Sequence, residues 1–207
     1  TQFSSTDTDN NLDIASEKIN RVYAMILTPE TKTTELKSSF SRNLETNKYK
    51  DPIIRFQVLK TVNAFLNTVG GTLIIGVRDN PSIDTIENSI IGIENDDYEN
   101  DDKYVRGIDD LLKSALGLDN SMHWEIKTMW LPKVEKKICI IECGLSKTPV
   151  FISYKKYIEA WNQSEAGKNK KYSIDKKFSF KRDSGGSSEL VDDVLFNYFS
   201  KREKTFS

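Results

Sequence analysis

The chain has 207 residues, 37% of them hydrophobic and 29% charged, with a formal net charge of −1. That length supports a real core in one domain, and the absence of any long apolar run excludes a membrane-spanning segment. Two cysteines and one histidine, His123, leave too few ligands for a zinc site of ordinary count.

Residues 1–11 are rich in Ser, Thr, Asp and Asn and read as a flexible N-terminus. Leu12, Ala15, Ile19, Val22, Tyr23 and Ile26 recur at helical spacing and predict a helix over 12–27, which Pro29 stops. Residues 33–40 alternate as a strand, with Glu35, Lys37 and Ser39 on one face. A second helix is well marked: Asp51 caps it, Pro52 suits its first position, and Ile54, Val58, Leu59, Val62, Phe65 and Leu66 make its stripe. Gly70-Gly71 ends that helix, and residues 72–77 are nearly all apolar, as in a strand covered on both faces. A polar excursion over 80–89 leads to Ile90-Ile91-Gly92-Ile93, read as the hairpin partner of that strand.

Further along, Val105, Ile108, Leu111, Leu112, Ala115 and Leu116 predict another helix, and residues 124–130 and 137–143 predict two strands joined by a turn. Cys139 and Cys143 fall on one face of the second of these strands, about 13 Å apart. That is too far for a disulfide and fits reduced core thiols in an intracellular, cytoplasmic protein. Residues 149–154 read as a short strand, 155–177 as a polar, lysine-rich insertion that packs loosely, and 178–182 as a last strand. Residues 183–188 read as a flexible loop, followed by a helix on Leu190, Val191, Val194, Leu195, Tyr198 and Phe199 and a tail over 202–207. This order predicts an α+β fold, a mixed β-sheet flanked by helices, within one domain over 12–201. The chain begins at Thr1 rather than Met, which points to processing or to a piece of a longer chain.

Charge is unevenly spread: residues 94–110 carry a net −6 and residues 147–182 a net +7. Either the two regions are solvated surface, or one face serves a polyanion while the other meets solvent. In the basic half, Lys168, Lys170, Lys171, Lys176 and Lys177, near Tyr172 and Trp161, are candidates to grip phosphates and stack on a base. Lys181 and Arg182, beside a glycine turn, are candidates for the nucleic-acid backbone, as are Lys60 and Arg78. Gly71 and Gly76 have the spacing that opens a phosphate loop, but Val77-Arg78 stands where Lys-Ser/Thr is required.

Glu30, Glu35, Lys37 and Asp79 are the candidates for chemistry, although a Glu and a Lys two apart on an exposed strand face also read as a plain surface pair. Hard cations such as Mg²⁺ or Mn²⁺ prefer carboxylate oxygens, and a bound ion both activates water and absorbs charge on a leaving oxygen. Glu35 and Asp79 converge if their two strands pair, whereas Glu30 must sit on a loop or bend to join them. Lys37 shares the Glu35 face and suits a phosphate as a point charge.

Glu30-Thr-Lys-Thr-Thr-Glu35-Leu-Lys37 together with the run from Leu59 to Asp79 resembles the Alba-like domain of the Schlafen family. The resemblance spans about residues 30–195 and resumes at 90–94 and at 180–190, where the family has a basic, glycine-containing turn before a helix. It implies a metal-dependent endoribonuclease acting on transfer RNA or similar structured RNA, in stress or antiviral defence. Active members use two glutamates with four residues between them and an aspartate near the end of the Gly-Gly strand, positions that Glu30, Glu35 and Asp79 match. By that resemblance these three would ligate Mg²⁺ or Mn²⁺ and Lys37 would meet the phosphate. The strand ends Val77-Arg78-Asp79 where relatives often carry two adjacent acids, and no Schlafen zinc finger is evident. Animal members fuse two lobes into a cleft; this chain holds one, so a homodimer would rebuild it. The same fold also suits a non-catalytic nucleic-acid-binding or regulatory module, or a protein-interaction domain docking through the acidic tract.

Overall fold

The computed structural model describes residues 5–206 apart from 80, 82–85, 166, 169, 175 and 185, and of residues 5–13, 192 and 203–206 the backbone alone. Helix α1 (Ser5–Leu27) precedes strand β1 (Thr34–Lys37), and α2 (Pro52–Asn67) leads back to β2 (Gly71–Ile75). β2 lies parallel to β1, with Glu35 opposite Leu73 and Lys37 opposite Ile75. After α3 (Ile86–Ser89) and α4 (Asp101–Leu116), strands β3 (Trp124–Leu131) and β4 (Lys136–Cys143) add antiparallel to β2, in the order β1-β2-β4-β3. Helix α5 (Lys155–Gln163), a two-stranded ribbon of β5 (Ser179–Asp183) and β6 (Gly186–Leu190), and α6 (Asp192–Phe206) complete the order. The fold is α+β with a mixed sheet flanked by helices.

β2 reads as unbroken apolar sequence because it is buried on both faces. Leu73 and Ile75 enter a core built with α2, α4 and α5, while Ile74 joins Leu36 and the α1 residues Val22 and Ile26 on the other side. Cys139 and Cys143 lie in the first of these clusters as free, buried thiols. α2 starts where its signals place it: Asp51 Oδ1 accepts from the Ile53 amide at 2.8 Å, and Pro52 needs no amide partner. At Gly71, φ is +157° and a Cβ would lie 2.5 Å from the Phe65 ring, so helix and strand close tightly only over glycine.

Buried amides tie α2 to the ribbon. Asn67 Nδ2 donates to Val150 O and Ser179 Oγ, both at 2.9 Å, and Asn63 Oδ1 accepts from the Phe180 amide at 2.8 Å. The Arg182 amide donates to Thr68 Oγ1 at 2.8 Å. β5 is thereby held against α2 in a defined register, which matters because β5 delivers Arg182.

Several sequence expectations are corrected. α1 begins at Ser5, so residues 5–11, read as loose, are helical; residues 1–4 lie outside the described residues. Ile90–Ile93 does not form a hairpin strand: it meets β2's extension at the Val77–Ile90 bridge and through the Ile91 and Gly92 amides, which both donate to Gly76 O. Gly76 and Gly92, with φ of +99° and +85°, cross closely there and break the ladder. Of the polar excursion before it, residues 80 and 82–85 lie outside the described residues. Residues 149–154 contribute a single bridge, Ile152 to Phe178. The insertion expected to pack loosely contains α5, whose Tyr157, Ile158 and Trp161 are buried. Of the loop expected over 183–188, Asp183 ends β5 and 186–188 begin β6, while 185 lies outside the described residues; of the tail expected over 202–207, residues 202–206 are the last turns of α6, and 207 lies outside the described residues. Among the described residues, no helix is long and apolar enough to cross a membrane.

Candidate active site

β1 is an edge strand, and its side-chain alternation sends Leu36 to the α1 side and Glu35 to the opposite face, toward the α2 and β5 side. The loop before β1 turns back on that edge. Glu30 Oε1 accepts from the Leu36 amide at 2.8 Å, which brings Glu30 beside a strand that cannot carry both glutamates on one face. Past β2, the Gly76 and Val77 amides both donate to Lys37 O, at 2.8 and 3.2 Å, and this crossing sets Asp79 near the end of β1.

Lys37 is the hub. Its Nζ lies 2.7 Å from Glu35 Oε1, 3.9 Å from Asp79 Oδ1 and 3.0 Å from Leu36 O. Glu35 is buried, and its other oxygen, Oε2, lies 2.8 Å from Arg182 Nη2. That approach is off the hydrogen-bonding line, so Oε2 is a buried oxygen without an aligned donor. Arg182 is itself buried over the Phe65 ring and donates to Thr31 O at 2.9 Å and to Ser187 Oγ at 3.4 Å. Asp79 is open to solvent. Burial raises the Glu30 carboxyl above its ordinary range; the Leu36 amide and Lys37 pull it down, while the charges of Glu35 and Asp79 push it up. The Glu30 carboxyl therefore feels the charge of the other two acids.

As the side chains stand, no group of three His, Cys, Asp or Glu among the described residues is arranged to hold a metal ion. The Lys37 ammonium holds the middle of the cluster, between Glu35 and Asp79. The donor set nevertheless fits a hard cation: all carboxylate oxygen, drawn from three segments, with one buried oxygen lacking an aligned donor.

The candidate nucleic-acid residues divide. Arg182 faces inward to Glu35, so it positions a carboxylate rather than lying on the surface. Lys181 pairs with Asp183, and Lys168 with Glu165 at 2.6 Å. Arg78 is exposed; Lys171, Lys176 and Lys177 are exposed and line one groove together with Phe178 and Glu189. Trp161 and Tyr172, expected to stack on a base, are buried in the core, with Trp161 Nε1 donating to Lys170 O at 3.0 Å. Lys60 is half-buried against aromatic rings.

Sequence reasoning missed Asp96. It lies in the acidic tract but is buried, and it accepts from Ser39 Oγ, from the amides of Phe40, Ser41 and Arg42, and from Tyr104 OH. It pins the chain that leaves β1 just beyond Lys37. A Ser-x-Ser turn at 39–41 offers clustered donors, the one local hint that a distant carboxylate caps it.

The family model described as Schlafen, AlbA_2 matches residues 30–190, which span both glutamates, Lys37, Asp79 and Arg182. No curated protein matches the chain. Among solved structures, the DIP2311 protein from Corynebacterium diphtheriae is similar, with a TM-score of 0.54 and 15% sequence identity over 91% of this chain. The match covers 32% of that protein, so this chain spans about a third of its length. At that identity the likeness concerns the fold.

Proposed function

The chain belongs to the Schlafen, AlbA_2 family, a family of nucleic-acid-related domains, and from that premise we propose that it is a divalent-metal-dependent endoribonuclease of Schlafen type, cleaving transfer RNA or a similarly structured RNA. The observation that carries this reading is the gathering of Glu30, Glu35 and Asp79 around Lys37 at one edge of the sheet. Glu30, Glu35 and Asp79 would hold Mg²⁺ or Mn²⁺. Such an ion, when bound, supplies an activated water and neutralises charge on the leaving oxygen. Arg182 fixes the Glu35 carboxylate from behind. Lys37, freed from Asp79 by a phosphate, turns its point charge to the scissile group. A role in stress or antiviral defence belongs to the same proposal.

The test is incubation of total transfer RNA with the chain and Mn²⁺, read on a denaturing gel. Discrete fragments that vanish with EDTA support the reading; intact RNA at high protein concentration rejects it.

One observation favours a second reading, a non-catalytic nucleic-acid-binding module: Lys37 and Arg182 already neutralise Glu35, and no metal cluster stands formed among the described residues. Salt-sensitive RNA binding without turnover would select it.

Lys37→Met separates the two. Removing a cation from among carboxylates should tighten Mn²⁺ binding, while loss of the phosphate contact lowers cleavage by roughly 10- to 100-fold. Mn²⁺ titration beside cleavage rates checks both. An unchanged Mn²⁺ affinity would show that Lys37 does not compete for the acids.

A further inference from the structure

Lys60 projects from α2 into a ring of aromatic faces. Its Nζ lies 4.8 Å from the Trp161 ring centroid, 5.4 Å from Phe180, 5.9 Å from Phe56 and 6.0 Å from Tyr172. It makes no hydrogen bond and no ion pair among the described residues. Rings attract the ammonium through their quadrupoles but leave its three donors unfilled.

Lys170 reaches the same place. Its Nζ lies 5.4 Å from the Tyr172 centroid and 3.1 Å from Glu189 Oε2. Burial lowers the Lys60 pKa most and the like charge of Lys170 lowers it next; Glu189 and Glu35 raise it and Lys37 lowers it, each by less. Two ammonium groups thus converge on one aromatic wall with a single carboxylate to share, a half-buried excess of positive charge that an anion would relieve.

The position relates to the acids through β5. Phe180 and Arg182 share a face of that strand, two residues or about 6.6 Å apart. Phe180 meets Lys60, and Arg182 meets Glu35.

We propose that Lys60 and Lys170 form a seat for a backbone phosphate of bound RNA, beside the acidic cluster and outside the scissile position. The seat rests on the RNA reading above. Glu189 keeps Lys170 in place when no RNA is present and yields part of that pairing to the phosphate.

The experiment is anisotropy of a labelled structured RNA in EDTA, so that nothing is cleaved, across a salt series. Wild type, Lys60→Met, Lys60→Arg and Lys170→Met are compared, with a thermal melt of each. Lys60→Met should weaken binding about tenfold at low salt and reduce the slope of log K against log salt by roughly 0.7–0.9, one phosphate's worth. Lys60→Arg should restore the slope, and Lys170→Met should lower it likewise. Lys170 is exposed, so that variant serves should Lys60→Met fold poorly. An unchanged slope overturns the seat, even where affinity falls. If wild type cleaves RNA while the Lys60 and Lys170 slopes stay at the wild-type value, only the seat fails. If the slopes fall but wild type never cleaves, the seat stands and the nuclease reading fails. No RNA binding at all overturns both.

Discussion

Glu35→Gln should lower RNA cleavage by about a thousandfold while leaving the chain folded. Glu35 is the acid in the cluster that is both buried and fixed on its two oxygens, by Lys37 at 2.7 Å and Arg182 at 2.8 Å. Gln keeps the shape and one carbonyl oxygen for Arg182 but loses the charge that a hard cation needs. Alanine is the poorer probe. It would strand the Arg182 guanidinium, whose side chain is only 2% exposed, at a cost of about 3–5 kcal/mol, so lost activity would be confounded with lost fold. Cleavage rates paired with a circular-dichroism melt decide the matter. Activity within tenfold of wild type in folded Glu35→Gln would remove Glu35 from the chemistry.

The largest stability effect should come from Asp96→Ala. That carboxylate satisfies three consecutive backbone amides, the Ser39 hydroxyl and the buried Tyr104 hydroxyl. Without it the Phe40 amide and the Ser39 and Tyr104 hydroxyls lose their acceptor, while the Ser41 and Arg42 amides keep only Ser39 Oγ, and each unsatisfied group costs about 1–3 kcal/mol before relaxation. A loss of about 4–5 kcal/mol follows once water repairs some of them, or a fall in Tm of roughly 10 °C or more for a chain of this size. Urea unfolding measures it directly. A loss under about 1 kcal/mol would mean that the loop finds other partners. Cleavage should fall as well, because the same loop steadies the end of β1 beyond Lys37.

Much of the scaffold was legible from local signals. Asp51-Pro52 and the apolar stripe behind them mark α2, and the two-faced burial of β2 shows as uninterrupted apolar sequence. The approach of Lys37 to both Glu35 and Asp79 was legible too, since it needs only that adjacent strands pair. Illegible were the partners that depend on long-range register. Asp96 looks like any other acid in a net-negative tract, yet all its partners but Tyr104 lie 54–57 residues earlier in the chain. Arg182 reads as part of a basic run. Only the packing of β5 on α2, through Asn63, Asn67 and Thr68, turns it inward to Glu35. Trp161 and Tyr172 sit in a lysine-rich stretch that suggests solvent, but their rings fill the space beside Phe56 and Phe180. The run Ile90–Ile93 has strand composition, and two close-packed glycines rather than side-chain preference prevent it from pairing.

Whether the acids share an ion is decided by titrating Mn²⁺ into wild type and Glu35→Gln in parallel, with the free aquo ion counted by electron paramagnetic resonance. The expected result is one ion taken up per wild-type chain and that uptake lost in Glu35→Gln. Equal uptake by both proteins, or cleavage of transfer RNA by a wild type that takes up none, would contradict a shared ion at Glu30, Glu35 and Asp79.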